Sequence, residues 1–214
     1  SSTNCEARRP LFAINVGAER LLRKHPDPAT DVLVRHMLAS GRRASQLVED
    51  VLDFARGRMG SGIPVNIGEC SGLEDTLQHV VDEVQHVHPT RLIHARIGNL
   101  DGVRGDRERL AQLLSNLVAN AISHGNPEGP VEVSAQVNAG TFELTVKNRG
   151  LISDQAMPLL FQPYSRPTGA LPQAGLGLGL YIVKQIADAH GGRLEVSSHE
   201  QDGTVFSFSL STGD

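Results

Sequence analysis

The sequence predicts an α+β protein in two parts: a helical hairpin that pairs with a second copy into a four-helix bundle, followed by an α/β sandwich with helices over one face of a sheet. Three observations predict it. Apolar residues recur at spacings of three and four from Ala7 to Ala55, glycine and proline crowd the stretch from Gly57 to Pro64, and short alternating runs then interleave with helical periods. A chain of 214 residues has room for one or two compact domains and no more.

In the first helix the apolar positions are Ala7, Leu11, Ile14, Ala18 and Leu21. The turn-like run His25-Pro26-Asp27-Pro28 ends it, and Val34, Met37, Gly41, Ala44, Val48, Val51 and Ala55 carry the pattern into a second helix. Each seam is too narrow for two helices to bury it well, so a bundle formed by two chains is expected, with Leu11, Ile14, Val48 and Val51 at the interface, the alternative being packing against the rest of the same chain. The Gly/Pro run stops the second helix and divides the chain into residues 1–62 and 63–214. In the second part, strands are expected at Ile63–Ile67, Arg91–Ile97, Val131–Val137, Thr141–Val146, Arg193–Ser197 and Thr204–Leu210. Helices are expected at Gly72–Val87, Asp106–His124, Gln155–Phe161 and Gly177–His190.

Composition narrows the function. The formal net charge of −4 gives no bulk attraction to nucleic acid, and no run approaches the ~18 apolar residues of a membrane span. The start lacks the apolar core of a signal peptide, and Cys5 and Cys70 form neither a CxxC pair nor a Cys/His zinc pattern, so a reducing cytoplasmic setting is expected. His79, His86 and His88 have no carboxylate or cysteine to complete a metal set.

Two constellations carry chemistry. Gly175-Leu176-Gly177-Leu178-Gly179-Leu180 runs into the amphipathic stretch Tyr181–Ala187, and glycines at a helix start leave backbone N–H groups open to a phosphate that the helix dipole also favours. Neither a ribose-binding acid nor a Gly-Lys-Ser/Thr follows, which sets this run apart from dinucleotide and P-loop motifs. Asn116 and Asn120, spaced i, i+4, put two carboxamides on one face of a largely apolar helix. They are either hydrogen-bonded in the structure or oxygen donors towards a hydrated Mg²⁺ on a nucleotide.

Together these residues resemble a known family. Asp106–Leu110 with Asn116–Ala121 resembles the N box of sensor histidine kinases, Val146–Gly150 a variant of their G1 box, Leu160–Tyr164 the F box, and Gly175–Leu180 the G2 pattern GxGLGL. Cys5–Leu11 is similar to the H box on the first helix of the dimerisation and phosphotransfer hairpin, so the resemblance covers nearly the whole chain. It implies a Bergerat-type, histidine kinase-like ATPase fold for the second part, with ATP or ADP and Mg²⁺ as cofactors. It further implies Asn120, and with it Asn116, at the metal and phosphates. Asn148 and Gly150 would lie at adenine, His124 where an aromatic stacks, and Gly175, Gly177, Leu178 and Gly179 along the phosphates. Residues 162–174 would form a lid with Arg166 available to a phosphate. The partners implied are a second copy, a response regulator and an upstream sensor domain.

Three departures qualify the match. Leu151-Ile152 stands where Pro-Gly-Ile would follow the G1 box, Ser123 replaces a basic residue, and Cys5 occupies the position of the phosphoacceptor histidine ahead of Glu6. Asn148 replaces an Asp, yet still offers a carbonyl acceptor. The expected protein is therefore the cytoplasmic core of a two-component kinase whose autophosphorylation is impaired or absent, or a non-catalytic dimeric regulator. A hydrolytic ATPase of the gyrase type would require a carboxylate where Asn116 stands.

Overall fold

The computed structural model describes residues 2–24, 27–58, 62–165 and 176–213, with side chains described from residue 11 onward. It divides into two compact units, Ser1–Ala55 and Arg56–Asp214.

The first unit is the hairpin of α1 (Ser2–Leu22) and α2 (Pro28–Arg58). The Asp27 carboxylate accepts from the N–H groups of Ala29 (3.1 Å) and Thr30 (3.2 Å) and from the Thr30 hydroxyl (2.6 Å), which starts α2 with Pro28 at its first position. Those bonds hold the Asp27 carboxyl below its usual range. The shared core is thin: Ala18, Val34 and Leu38, with Leu22 against them. Phe12, Ile14, Leu33, Met37 and Val51 remain exposed, and Leu11, Ile14, Leu33 and Met37 line a shallow apolar groove. The hairpin thus leaves most of its apolar surface without a partner from its own helices.

Asp50 is buried in α2, where desolvation raises its pKa against the lowering effect of a 2.8 Å hydrogen bond from Gln46, and Asp53 and Glu49 raise it further. A raised carboxyl pKa in the folded state means that ionised Asp50 weakens the fold above that pKa and ceases to do so as pH falls through it. Asp50→Asn, which keeps an acceptor for Gln46, is therefore expected to raise the denaturant midpoint at pH 7. Its advantage should shrink as pH falls into the carboxylate range. Equal midpoints at pH 7 would contradict this.

The second unit contains β1 (Gly68–Glu69), α3 (Leu73–Val87), β2 (Ile93–Ile97), β3 (Arg104–Gly105), α4 (Arg107–His124), β4 (Val131–Asn138), β5 (Thr141–Asn148), α5 (Gly179–Ala189), β6 (Arg193–His199) and β7 (Gly203–Ser211). Its main sheet has the order β2-β4-β5-β7-β6, in which β2 and β4 are parallel and the other pairs antiparallel. Period-two alternation puts Val131, Val133, Phe142, Leu144, Val146, Phe206 and Phe208 on one face. Leu77 of α3, Leu113, Leu117 and Ala121 of α4, and Ile182, Val183 and Ile186 of α5 supply the opposing apolar layer. Burying one such large aliphatic or aromatic side chain contributes about 1.5–3 kcal/mol, so this unit holds a far larger core than the hairpin.

Two expected elements differ. Residues 63–67 join no ladder; the pairing falls one step later, where Gly68–Glu69 meets Arg104–Gly105 antiparallel. Pro64 has no N–H to give a ladder, and the Asn66 N–H donates instead to the Asp106 carboxylate at 2.8 Å. Of the helix expected at 155–161, only a 3₁₀ turn at Met157–Leu159 forms, around Pro158, which cannot sustain a longer helix.

Asp106 organises the start of α4. Its carboxylate accepts from the N–H groups of Glu108 (3.1 Å) and Arg109 (3.2 Å), while its own N–H donates to His190 Nε2 at 2.9 Å. His190 Nδ1 then donates to the Ile186 carbonyl at 2.8 Å, which assigns the neutral Nδ1–H tautomer.

Candidate functional site

Helix α4 sets Asn116, Asn120 and His124 one turn apart along a stripe beside its apolar face. Asn116 Nδ2 is buried and has no hydrogen-bond partner among the described residues. A buried amide donor left unmade is costly, so it marks a place for an acceptor that no described residue supplies. On the carbonyl side of the same amide lies Gly179, the first residue of α5, where an added Cβ would lie 3.5 Å from Asn116 Oδ1. Leu178 makes no side-chain cap, so the start of α5 turns the positive end of its dipole towards the same space uncapped. Leu178 itself is buried. Gly177 accepts the Tyr164 N–H at 3.1 Å.

The other end of the site lies where α4 and β5 run out. Asn148 continues the row Phe142, Leu144, Val146 on the helix-covered face, but the row ends in a carboxamide. It is only 4 % exposed, and no side-chain hydrogen bond to it occurs among the described residues. Gly125 and Gly150 flank it: a Cβ at either would come within 2.8 Å of Asn148 Nδ2. The Asn126 N–H donates to the Arg149 carbonyl at 2.5 Å, tying the exit of α4 to the exit of β5. Behind Gly150, its carbonyl accepts from Thr204 Oγ1 at 2.8 Å, Thr204 Oγ1 pairs with Ser198 Oγ at 2.9 Å, and Ser198 Oγ accepts the Ile152 N–H at 2.9 Å. His124 closes α4 at the rim, with its outer edge in solvent, and desolvation lowers its pKa so that the ring is neutral at pH 7.

Thus Asn116 and Gly179 come together at one end, and Asn148, Gly150 and the end of α4 at the other, with Asn120 on the α4 stripe between. Arg166 and Gly175 lie outside the described residues. Cys5 and Glu6 fall on α1, in the other unit, and their side chains are likewise outside the description. Sequence reasoning missed Gly125, Ser198, Gly203 and Thr204. Of these only Gly203 carried a signal, the Asp202-Gly203 turn dipeptide between β6 and β7.

A mixed sheet covered on one face by helices, with asparagines of α4 facing a glycine-led, uncapped α5, defines a domain of the histidine kinase-like ATPase fold. Comparison with known proteins agrees. Residues 105–214 match the family of histidine kinase-, DNA gyrase B- and HSP90-like ATPases. A bacteriophytochrome of Pseudomonas aeruginosa is 32 % identical over 91 % of this chain and 27 % of its own length. The sensor protein SphS of Synechococcus elongatus is 34 % identical over 92 % of this chain and 50 % of its own. Among solved structures, full-length ShkA in complex with AMPPNP superposes with a TM-score of 0.67 at 26 % identity, over 98 % of this chain and 44 % of that one. The mycobacterial sensor histidine kinase MprB gives 0.58 at 25 %, over 68 % and 97 %. The chain belongs to the histidine kinase-, DNA gyrase B- and HSP90-like ATPase family, as the catalytic core of a sensor histidine kinase. It spans half or less of the length of these two curated relatives.

Proposed function

We propose that residues 63–214 bind Mg-ATP and Mg-ADP between α4 and α5, and that residues 1–62 form the dimerisation and phosphotransfer hairpin of a cytoplasmic two-component kinase that signals to a response regulator. The observation that carries the reading is Asn116 set against the uncapped, glycine-led start of α5, its Oδ1 beside Gly179 and its Nδ2 without a partner among the described residues, where the helix dipole favours a polyphosphate. Mg²⁺ would enter with the phosphates, held on the protein side by Asn120 with Asn116 beside it. When bound, the ion supplies charge neutralisation at the phosphoryl group. Asn148 and Gly150 would receive the base, and His124 would stack at the rim. Arg166 and the backbone at 175–179 would approach the phosphates.

Nucleotide that binds the native state raises thermal stability by mass action. Millimolar Mg-ADP is expected to raise the melting temperature of the chain, and Asn120→Asp to lower the affinity by about tenfold or more, because it sets a second negative charge beside phosphate. No shift and no calorimetric heat with the unmodified chain would overturn the proposed site.

The exposed apolar groove of the hairpin supports the dimer. Ile14→Leu should leave a dimer at micromolar concentration, whereas Ile14→Asp should yield monomers in sedimentation, since a desolvated unpaired charge costs about 3–5 kcal/mol. A monomeric unmodified chain would refute the arrangement.

One residue favours a second reading. Cys5, in place of the acceptor histidine, fits a non-catalytic dimer that regulates another kinase or holds a regulator.

A further inference from the structure

We infer that Asn148 makes the base pocket tolerant of 6-oxopurine nucleotides as well as adenine nucleotides. The inference rests on the nucleotide-binding reading above and names the substrate class of that same site.

Three observations carry it. Asn148 and Thr204 are the buried polar side chains described for this unit. The Thr204 hydroxyl is already committed to the Gly150 carbonyl and Ser198, and Ser198 in turn to the Ile152 N–H. Asn148 makes no side-chain hydrogen bond among the described residues, although it is 4 % exposed. Its amide atoms are not among the fully buried polar atoms left without a partner, so the little of it that is exposed is where a ligand would meet it. It also breaks an otherwise apolar row, Phe142, Leu144 and Val146, at the point where that row meets the end of α4. Of the buried polar side chains described for this unit, Asn148 is therefore the one left to meet a base edge.

An ionised carboxylate at that place can only accept. It would pair with the exocyclic amine of adenine and repel a carbonyl at the same ring position. The amide of Asn148 is neutral and carries one acceptor and two donors. A half-turn about its Cβ–Cγ bond exchanges the two, so it can accept from an amine or donate to a carbonyl. Gly125 and Gly150 contribute no side chain on either flank to fix one orientation. Buried hydrogen-bonding groups discriminate strongly only when the wrong partner leaves them unpaired, and this one is paired by either base.

Isothermal titration of the whole chain with Mg-ADP and with Mg-IDP tests the inference, because hypoxanthine changes the amine to a carbonyl, and with it N1 from an acceptor to an N–H donor, without adding guanine's second amine. The two dissociation constants are expected to agree within about tenfold. Asn148→Asp should shift the ratio of the two constants by about a hundredfold or more towards adenine. IDP binding over a hundred times weaker than ADP in the unmodified chain would overturn the inference, as would a ratio unchanged in Asn148→Asp. Heat with ADP and none with IDP would sink this inference alone, whereas silence from both would remove the nucleotide site with it. The comparison in the unmodified chain decides the matter even if the variant fails to fold.

Discussion

Cys5→His is expected to turn a chain that takes up little or no label from γ-labelled ATP into one that phosphorylates itself, with a rise of about a hundredfold or more. The reason is reach and basicity. The cysteine sulfur lies one bond beyond Cβ, whereas the far imidazole nitrogen lies three bonds beyond, so a phosphoryl group placed for histidine is out of range of Cys5. On the proposed reading Glu6 would hold an imidazole and draw off its proton; beside a thiol it would disfavour the reactive thiolate, with Arg8 and Arg9 pulling the other way. The product should be acid-labile and base-stable, as a phosphoramidate is, and Glu6→Gln in the same background should lower its rate of formation. Strong labelling of the unmodified chain at Cys5 would refute the argument. An unlabelled Cys5→His chain that still binds nucleotide would favour the regulatory reading, with Ser123 and the altered Asn148–Ile152 segment the places to look.

Gly203→Ala is expected to destabilise the second unit by about 3 kcal/mol, roughly 6–12 °C in melting temperature for a chain of this size. Gly203 has φ +79°, where an L side chain is disfavoured, and a Cβ there would lie 2.3 Å from the Asn148 carbonyl oxygen. Relief requires β7 to part from β5 where Asn148 pairs with Thr204, so nucleotide affinity should fall together with stability. Gly191→Ala separates the two causes. It has a similar φ of +67° but nothing within 4 Å of the added Cβ, so it should lose only the conformational part, about 1 kcal/mol. Equal losses in the two variants would show that the close approach to Asn148 is immaterial.

These two cases mark how far the sequence could be read. Helices with long apolar periods, such as α4 and α5, were legible because one face of each meets a single core, and the sheet strands from β4 onward because their alternation is regular. Residues 63–67 and 155–161 misled because local propensity decides an element only when a partner is in reach: the first found Asp106 instead of a ladder, and the second was cut short by Pro158. The carboxamides of α4 and the glycines before α5 were visible as motifs. That Asn116 faces Gly179 is a product of packing between α4 and α5, and no local pattern encodes it. The chain of hydroxyls through Ser198 and Thr204 was hidden for the same reason, since serine and threonine in a strand read as ordinary β-formers.

The knot at Asp106 has a consequence for how the second unit opens. The amides of Asn66 and Asp106 lie outside both the sheet ladders and the helical hydrogen-bond pattern, so each would ordinarily exchange with solvent as fast as a loop. Here the first is held by the carboxylate that caps α4 and the second by the ring of His190 at the end of α5. Neither can be released unless the start of α4 or the end of α5 comes apart. Hydrogen–deuterium exchange should therefore find these two amides protected as deeply as the buried turns of α4, making three segments far apart in the chain one cooperative unfolding unit.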